Sequence, residues 1–268
     1  MALLAAFSLW HSGWMTKSPA QALPVIVSLL GLVGLWALAA RLGNDPTVLP
    51  APGAVWQILL DEIAGGEWQE HMLATSGRVA AAFALAMGLG TVLGLVMGLN
   101  ETVNRWLSAW LLVLLNIPAL VVIVLCYLWI GLNEVAAITA VALNKTAMVA
   151  VTIREGVQAR DSALADMGRV FEMRRGTYLR HVLWPQLWPF VAAAMRNGLA
   201  IIWKIVLVVE FLGRSNGVGF QIHLYFQLFE TGYVLAYALS FTALMLLIDF
   251  GLIRALEHRA TRWRTVTS

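Results

Sequence analysis

The segment RDSALADMGRVFEMRRGTYLRHVLWP, residues 160–185, decides how the rest of the chain is read. It is polar and rich in arginine, it follows the apolar run Val135–Ile153, and it feeds into a second run, Val182–Phe211. Leu164, Met167, Val170 and Phe171 stand at i, i+3, i+6 and i+7, which on a helix is a narrow apolar stripe. Arg160, Asp166, Arg169 and Glu172 surround that stripe, and Asp161 is placed to cap the helix N-terminus. Gly176 is expected to turn the chain into a second short helix, Thr177–Leu183. Pro185 then fits the first turn of the next helix, where a missing N–H costs nothing. The segment 154–184 therefore reads as a short amphipathic helix parallel to a membrane and joined directly to a membrane span. Its residues leave two roles open: a solvated loop, or a docking site for a partner protein.

Working outward, the composition agrees with a membrane setting. Of the 268 residues 60% are apolar and only 12% charged, with a mean hydropathy of +0.77. Soluble domains carry about 25% charged residues. An ordinary cytosolic enzyme, a disordered tail and a nucleic-acid binder are excluded as readings of the whole chain. The lone Cys126 excludes an internal disulfide and a cysteine-based metal site. Reading between charges, and requiring roughly 20 apolar residues per crossing, gives six spans at about 18–40, 79–99, 106–130, 135–153, 186–211 and 231–253. The runs are continuous rather than alternating, so helices are expected and barrel strands are not. The expected fold is an all-α membrane protein with six transmembrane helices, residues 1–268 forming one domain.

Basic residues set the orientation. With both termini cytoplasmic, 12 of the 18 Lys and Arg fall inside, against three near the outer face, Arg41, Arg78 and Arg214. Met1–Trp14 lacks a basic leader and reads as an interfacial lead-in rather than a cleaved signal. In the first outer loop, Pro50 and Pro52 force an extended turn, and Val55, Ile58, Leu59 and Ile63 then pattern a helix over Ala54–Ile63.

Ionisable residues within spans default to functional hypotheses. On the fifth span Arg196, Ala200, Trp203, Leu207 and Glu210 share one face, and Asn197, Ile201, Lys204, Val208 and Phe211 the adjacent one. Either Arg196 and Lys204, with Asn197, Trp203 and Glu210 beside them, line a path for an anion, or they pair with Glu210, Asp249 or carbonyls and fix packing. Lys145, beside Asn144 on the fourth span, poses the same choice. Gly90, Gly94 and Gly98 stand at i, i+4 spacing and let helices approach closely. Gly213, Gly217 and Gly219 mark a flexible external turn that either contributes to a gate or simply joins spans.

Several stretches taken in order resemble a known family. Asp166-Met167-Gly168-Arg169-Val170-Phe171-Glu172, with Pro185 thirteen residues on, resembles the EAA motif of permease subunits of binding-protein-dependent ABC importers. Leu49-Pro50-Ala51-Pro52, Ser76-Gly77-Arg78-Val79, Pro118, Trp129-Ile130-Gly131, Trp203-Lys204 and Gly213–Gly219 are similar to the nitrate/sulfonate/taurine branch. Two departures stand out: Asp166-Met167-Gly168 replaces Glu-Ala-Ala, and Glu172 replaces the motif glycine. The resemblance implies a type I ABC importer permease in the bacterial inner membrane, working as two copies with two cytoplasmic ATPase subunits. A periplasmic or lipid-anchored solute-binding protein would deliver substrate. ATP and Mg would bind the ATPase; this chain would bind no cofactor or metal and would not be an enzyme. Residues 163–172 would be the coupling helix, with Leu164, Met167 and Phe171 as anchors; in the family small residues let this helix lie close to the ATPase, and Asp166-Met167-Gly168 and Glu172 stand in their place. Pro185 would pass motion to the fifth span. The substrate would be a small oxyanion, or else a vitamin precursor or similar heterocycle. A stand-alone ion-coupled carrier would need an acid pair at mid-membrane and an internal repeat, and the sequence has neither.

Overall fold

The computed structural model describes residues 19–43, 45–249 and 251. The lead-in at Met1–Trp14 and the basic residues Arg254, Arg259, Arg262 and Arg264 lie outside these. Every regular element among the described residues is helical.

Helix α1, Pro19–Gly43, carries an apolar stretch, Ile26–Gly43, with none of its residues buried. Trp36 Nε1 ties it to the next turn by donating to the Pro50 carbonyl at 3.1 Å. Helix α2, Pro52–Gly65, opens with Pro52 in its first turn and buries Val55. It closes on Gly66, whose φ of +87° is the left-handed conformation that glycine takes without penalty. Helix α3 follows at once, Glu67–Leu99. Its 33 residues reach about 50 Å, starting well before the expected Val79. The added turns hold His71, Thr75 and Arg78, all buried.

The third crossing differs from the single helix expected over 106–130. Two helices, α4 (Glu101–Asn116) and α5 (Ala119–Ile130), meet at an angle of 98°. Ile117 and Pro118 are extended between them, because proline has no N–H to continue the ladder and disfavours helix at the residue before it. Asn116 Nδ2 donates to the Leu112 carbonyl at 2.7 Å, satisfying an end that the break would leave bare.

Helix α6, Glu134–Gln158, starts on Asn133, whose side chain accepts from the Ala136 N–H. It lies along α3, and the glycines of α3 explain how closely. A Cβ on Gly90 would sit 2.5 Å from Val149 Cβ, one on Gly94 2.5 Å from the Ala150 carbonyl oxygen, and one on Gly98 2.5 Å from Val157 Cβ. The stripe is a packing surface. Beyond α6 come α7 (Ser162–Val170), α8 (Arg175–Tyr178), a π-helical turn at Leu179–Leu183, and α9 (Trp184–Gly213). Helix α10, Val218–Gln227, was not anticipated, since a glycine-rich turn was expected there; α11, Thr231–Ile248, ends the described helices. Helices α1, α3, α6, α9 with its lead-in, and α11 are long and apolar enough to cross a membrane, and the bent pair α4–α5 counts as a sixth if taken as one. The core runs between α3, α6, α9 and α11, with Ala82, Ala86, Ala137, Val141, Ile202, Val206 and Phe241 all buried.

Candidate functional site: the arginine-rich segment and the exposed face of the long helix after it

The arginine-rich segment folds much as its pattern dictates. The Asp161 side chain accepts from the Ala163 N–H at 2.8 Å and caps α7. Leu164, Met167, Val170 and Phe171 are all exposed, the last two at 78% and 73%, so an apolar ridge is left uncovered by the described residues. Asp166 and Arg169 pair beside it at 3.1 Å.

Both departures from the family motif acquire a physical reading. Gly168 is buried, and a Cβ there would lie 2.8 Å from the Tyr178 ring. Its smallness therefore seats α7 against its own chain. Glu172 has φ +44°, where glycine is at ease and a side chain is strained. The turn falls here, at Phe171–Arg174, and not at Gly176, which lies inside α8.

Two links bind the segment to α9. The Gln186 side chain accepts from the Asp161 N–H at 2.9 Å through Oε1, and its Nε2 donates to the Val182 carbonyl at 2.9 Å. Pro185 occupies the first turn of α9, as expected. The helix arrives there through the π turn, in which the Trp184 N–H reaches back to the Leu179 carbonyl. A groove beside this junction is lined by Asp161, Leu164, Gln186, Pro189, Phe190 and Ala193.

The structure separates the two faces of α9. Asn197, Lys204 and Val208 are exposed, with Ile201 half-buried between them, a polar-and-apolar stripe open along the helix. Trp203 and Glu210 lie on the other face. Trp203 is 3% exposed, packs edge-on against Phe241 at 5.4 Å, and belongs to the core rather than to the open stripe. Arg196 is half-buried.

Glu210 is fully buried and forms the centre of an ion network at the far end of the helices. Arg78 Nη1 donates to its Oε1 at 2.6 Å, and Thr75 Oγ1 and the Gly219 N–H donate to Oε2, each at 2.9 Å. Arg78 also grips Glu134 through Nε at 2.8 Å and Nη2 at 2.7 Å, and reaches the carbonyl and side chain of Asn216. Arg214 binds Glu134 as well, at 2.5 Å. The glycine turn is consequently pinned, not flexible. The Gly217 N–H donates to His71 Nδ1 at 3.0 Å, and its φ of +107° and a Cβ clash with Glu210 Cδ at 2.5 Å both require glycine. Gly219 lies inside α10 and Gly213 closes α9 against Tyr127 and Leu132. Glu134, Thr75 and His71 were not picked out by sequence reasoning, and Arg78 only as an outer-face charge and as part of the stretch Ser76–Val79. The one available signal was an arginine and a glutamate close to the predicted edges of apolar runs.

Residues 86–262 match the family model of the binding-protein-dependent transport system inner membrane component. The putative aliphatic sulfonates transport permease protein SsuC of Bacillus subtilis is 30% identical, over 94% of this chain and 88% of that one. The taurine transport system permease protein TauC of Escherichia coli is 28% identical over 85% and 84%. The riboflavin transport system permease protein RibX of Chloroflexus aurantiacus is 30% identical over 91% of each chain. In fold, the chain is similar to a crystal structure of an amino acid ABC transporter with histidines, with a TM-score of 0.61 at 20% identity, covering 76% of this chain and 98% of that one.

Proposed function

The chain belongs to the binding-protein-dependent transport system inner membrane components, as an ABC importer permease of the nitrate/sulfonate/taurine branch, and on that premise we propose that it carries a small sulfonate-like oxyanion inward. Permeases of this family are not enzymes. In this reading two copies of the chain enclose the pathway, and both termini and the arginine-rich segment face the cytoplasm. Each copy offers α7 to one subunit of an ATPase dimer, which binds ATP and Mg, and a solute-binding protein feeds the opposite mouth.

The observation that carries the reading is the outward apolar ridge of α7, held to the first turn of α9 by Gln186. Exposed apolar and aromatic side chains are the usual anchors of an interface. A rigid handle tied to a long helix is what a motor on one side needs in order to move that helix. ATPase closure would shift α7, and the tie at Gln186 would draw the Pro185 end of α9 with it. The Asn197–Lys204–Val208 stripe supplies a face for the solute, with Lys204 attracting an anion electrostatically.

A second substrate class, a riboflavin-like heterocycle, is favoured by the equal identity to the riboflavin permease. The machinery would be the same. The test is Met167→Asp with Phe171→Asp in the co-expressed importer. The expected result is a permease that still inserts in the membrane but no longer co-purifies with its ATPase, with uptake lost. An ATPase that stays bound to the double variant would refute the coupling role. Uptake of taurine and methanesulfonate against riboflavin by the wild-type complex decides between the substrate classes.

A further inference from the structure

Lys145 sits in the middle of α6, 6% exposed, with no hydrogen bond or ion pair among the described residues. Its direction follows from its neighbours on the helix. Glu134, Lys145 and Gly156 are eleven residues apart in turn, three turns and about 20° at each step, so they share one side. The upper of these binds Arg214, the residue that caps α9. The lower meets Phe190 of α9, whose Cγ would be 2.6 Å from a Cβ on Gly156. By this placement Lys145 lies on the side of α6 turned toward α9, about halfway between the contacts at positions 190 and 214, with α3 adjoining through Val149 and Gly90 one turn on. On α9 itself Asn197, Ile201, Lys204 and Val208 all lie within about 40° of the direction of Phe190. The buried lysine of α6 thus borders the open stripe at the depth of Asn197 to Lys204.

A largely desolvated ammonium without a counter-charge is costly, and a negative ligand lowers that cost. The acidic groups nearest in the helical order, Glu134 and Glu210, are engaged by arginines at the far end. We propose that Lys145, with Lys204 and Asn197, forms an oxyanion station at mid-membrane that takes a singly charged sulfonate headgroup. Lys145 supplies the buried charge, Lys204 the exposed one that draws the anion in, and the Asn197 amide a neutral donor. This rests on the reading of the α9 stripe as the pathway, and it identifies Lys145, on a different helix, as the residue that selects for charge.

The experiment uses the importer assembled with its ATPase and binding protein in proteoliposomes, with taurine, methanesulfonate and riboflavin as probes. Lys145→Met is expected to lower sulfonate uptake at least tenfold, while Lys145→Arg retains most of it. Melting of Lys145→Met in detergent should be equal to or higher than that of the wild type, since a buried charge is gone. Methanesulfonate should stabilise the wild type and not the Met variant. Sulfonate uptake by Lys145→Met within twofold of wild type would overturn the station while leaving the permease reading intact. So would a lowered melting temperature with uptake lost in both variants, the mark of a packing lysine. Riboflavin uptake by the wild type, with neither sulfonate carried, would overturn the substrate reading and the station together.

Discussion

Arg78 makes five hydrogen bonds to three partners, Glu134, Glu210 and Asn216, and is 5% exposed. Arg78→Leu leaves Glu210 buried without its guanidinium. Truncating one member of a buried pair costs about 3–5 kcal/mol, and thermal melting of the purified chain should register the loss. Arg78→Leu with Glu210→Leu should recover part of it, because no bare charge is then left. Glu172 presents the opposite case. Its φ of +44° strains a side chain, so Glu172→Gly should raise stability by about 1 kcal/mol, read as a higher melting temperature with ATPase binding retained. The strain was foreshadowed in the sequence as a departure from a glycine-bearing motif. The Arg78 network was not, because its partners lie 56 and 132 residues away, and no periodicity pairs residues at such separations.

Among the described elements, α3 and α6 form the most extensively packed pair. Gly94→Leu would drive a side chain into the Ala150 carbonyl, where a Cβ alone stands at 2.5 Å. Overpacking costs about 1–3 kcal/mol even where neighbours can yield, and backbone cannot. We expect little folded protein from this variant by fluorescence-detected chromatography, whereas Gly88→Leu, with open space at its Cβ, should be recovered normally. Apolar length and glycine spacing made these helices readable, since both reflect the local need to bury backbone and apolar surface. The break at Pro118 was not read, although proline supplies its cause. An apolar run long enough to span gives no sign of whether it is straight. Helix α10 escaped for a related reason: the glycines at 213, 217 and 219, of which only Gly219 lies within it, suggest freedom, while in the structure each marks a close approach.

For the whole molecule, the decisive property is how motion at α7 reaches α9. Gln186→Leu removes the bond to the Asp161 N–H without altering the exposed ridge of Leu164, Met167, Val170 and Phe171. The ATPase should still co-purify, but the solute carried per ATP hydrolysed should fall, measured by paired uptake and phosphate release in proteoliposomes. Equal stoichiometry in variant and wild type would show that the tie plays no part. The two ends of α9 also differ in what holds them. Near Trp184 the helix has a π turn, two prolines and an adjoining groove. Near Gly213 the Glu134 carboxylate is clasped by both Arg78 and Arg214. The clamp at Glu134 is an ion network and the junction near Trp184 an apolar one, with Leu183, Leu187 and Val191 buried against Val149, Ile153 and Val157 of α6. In the proposed importer a pull on α7 would therefore carry α6 along with α9, as two oars lashed together, rather than one helix alone.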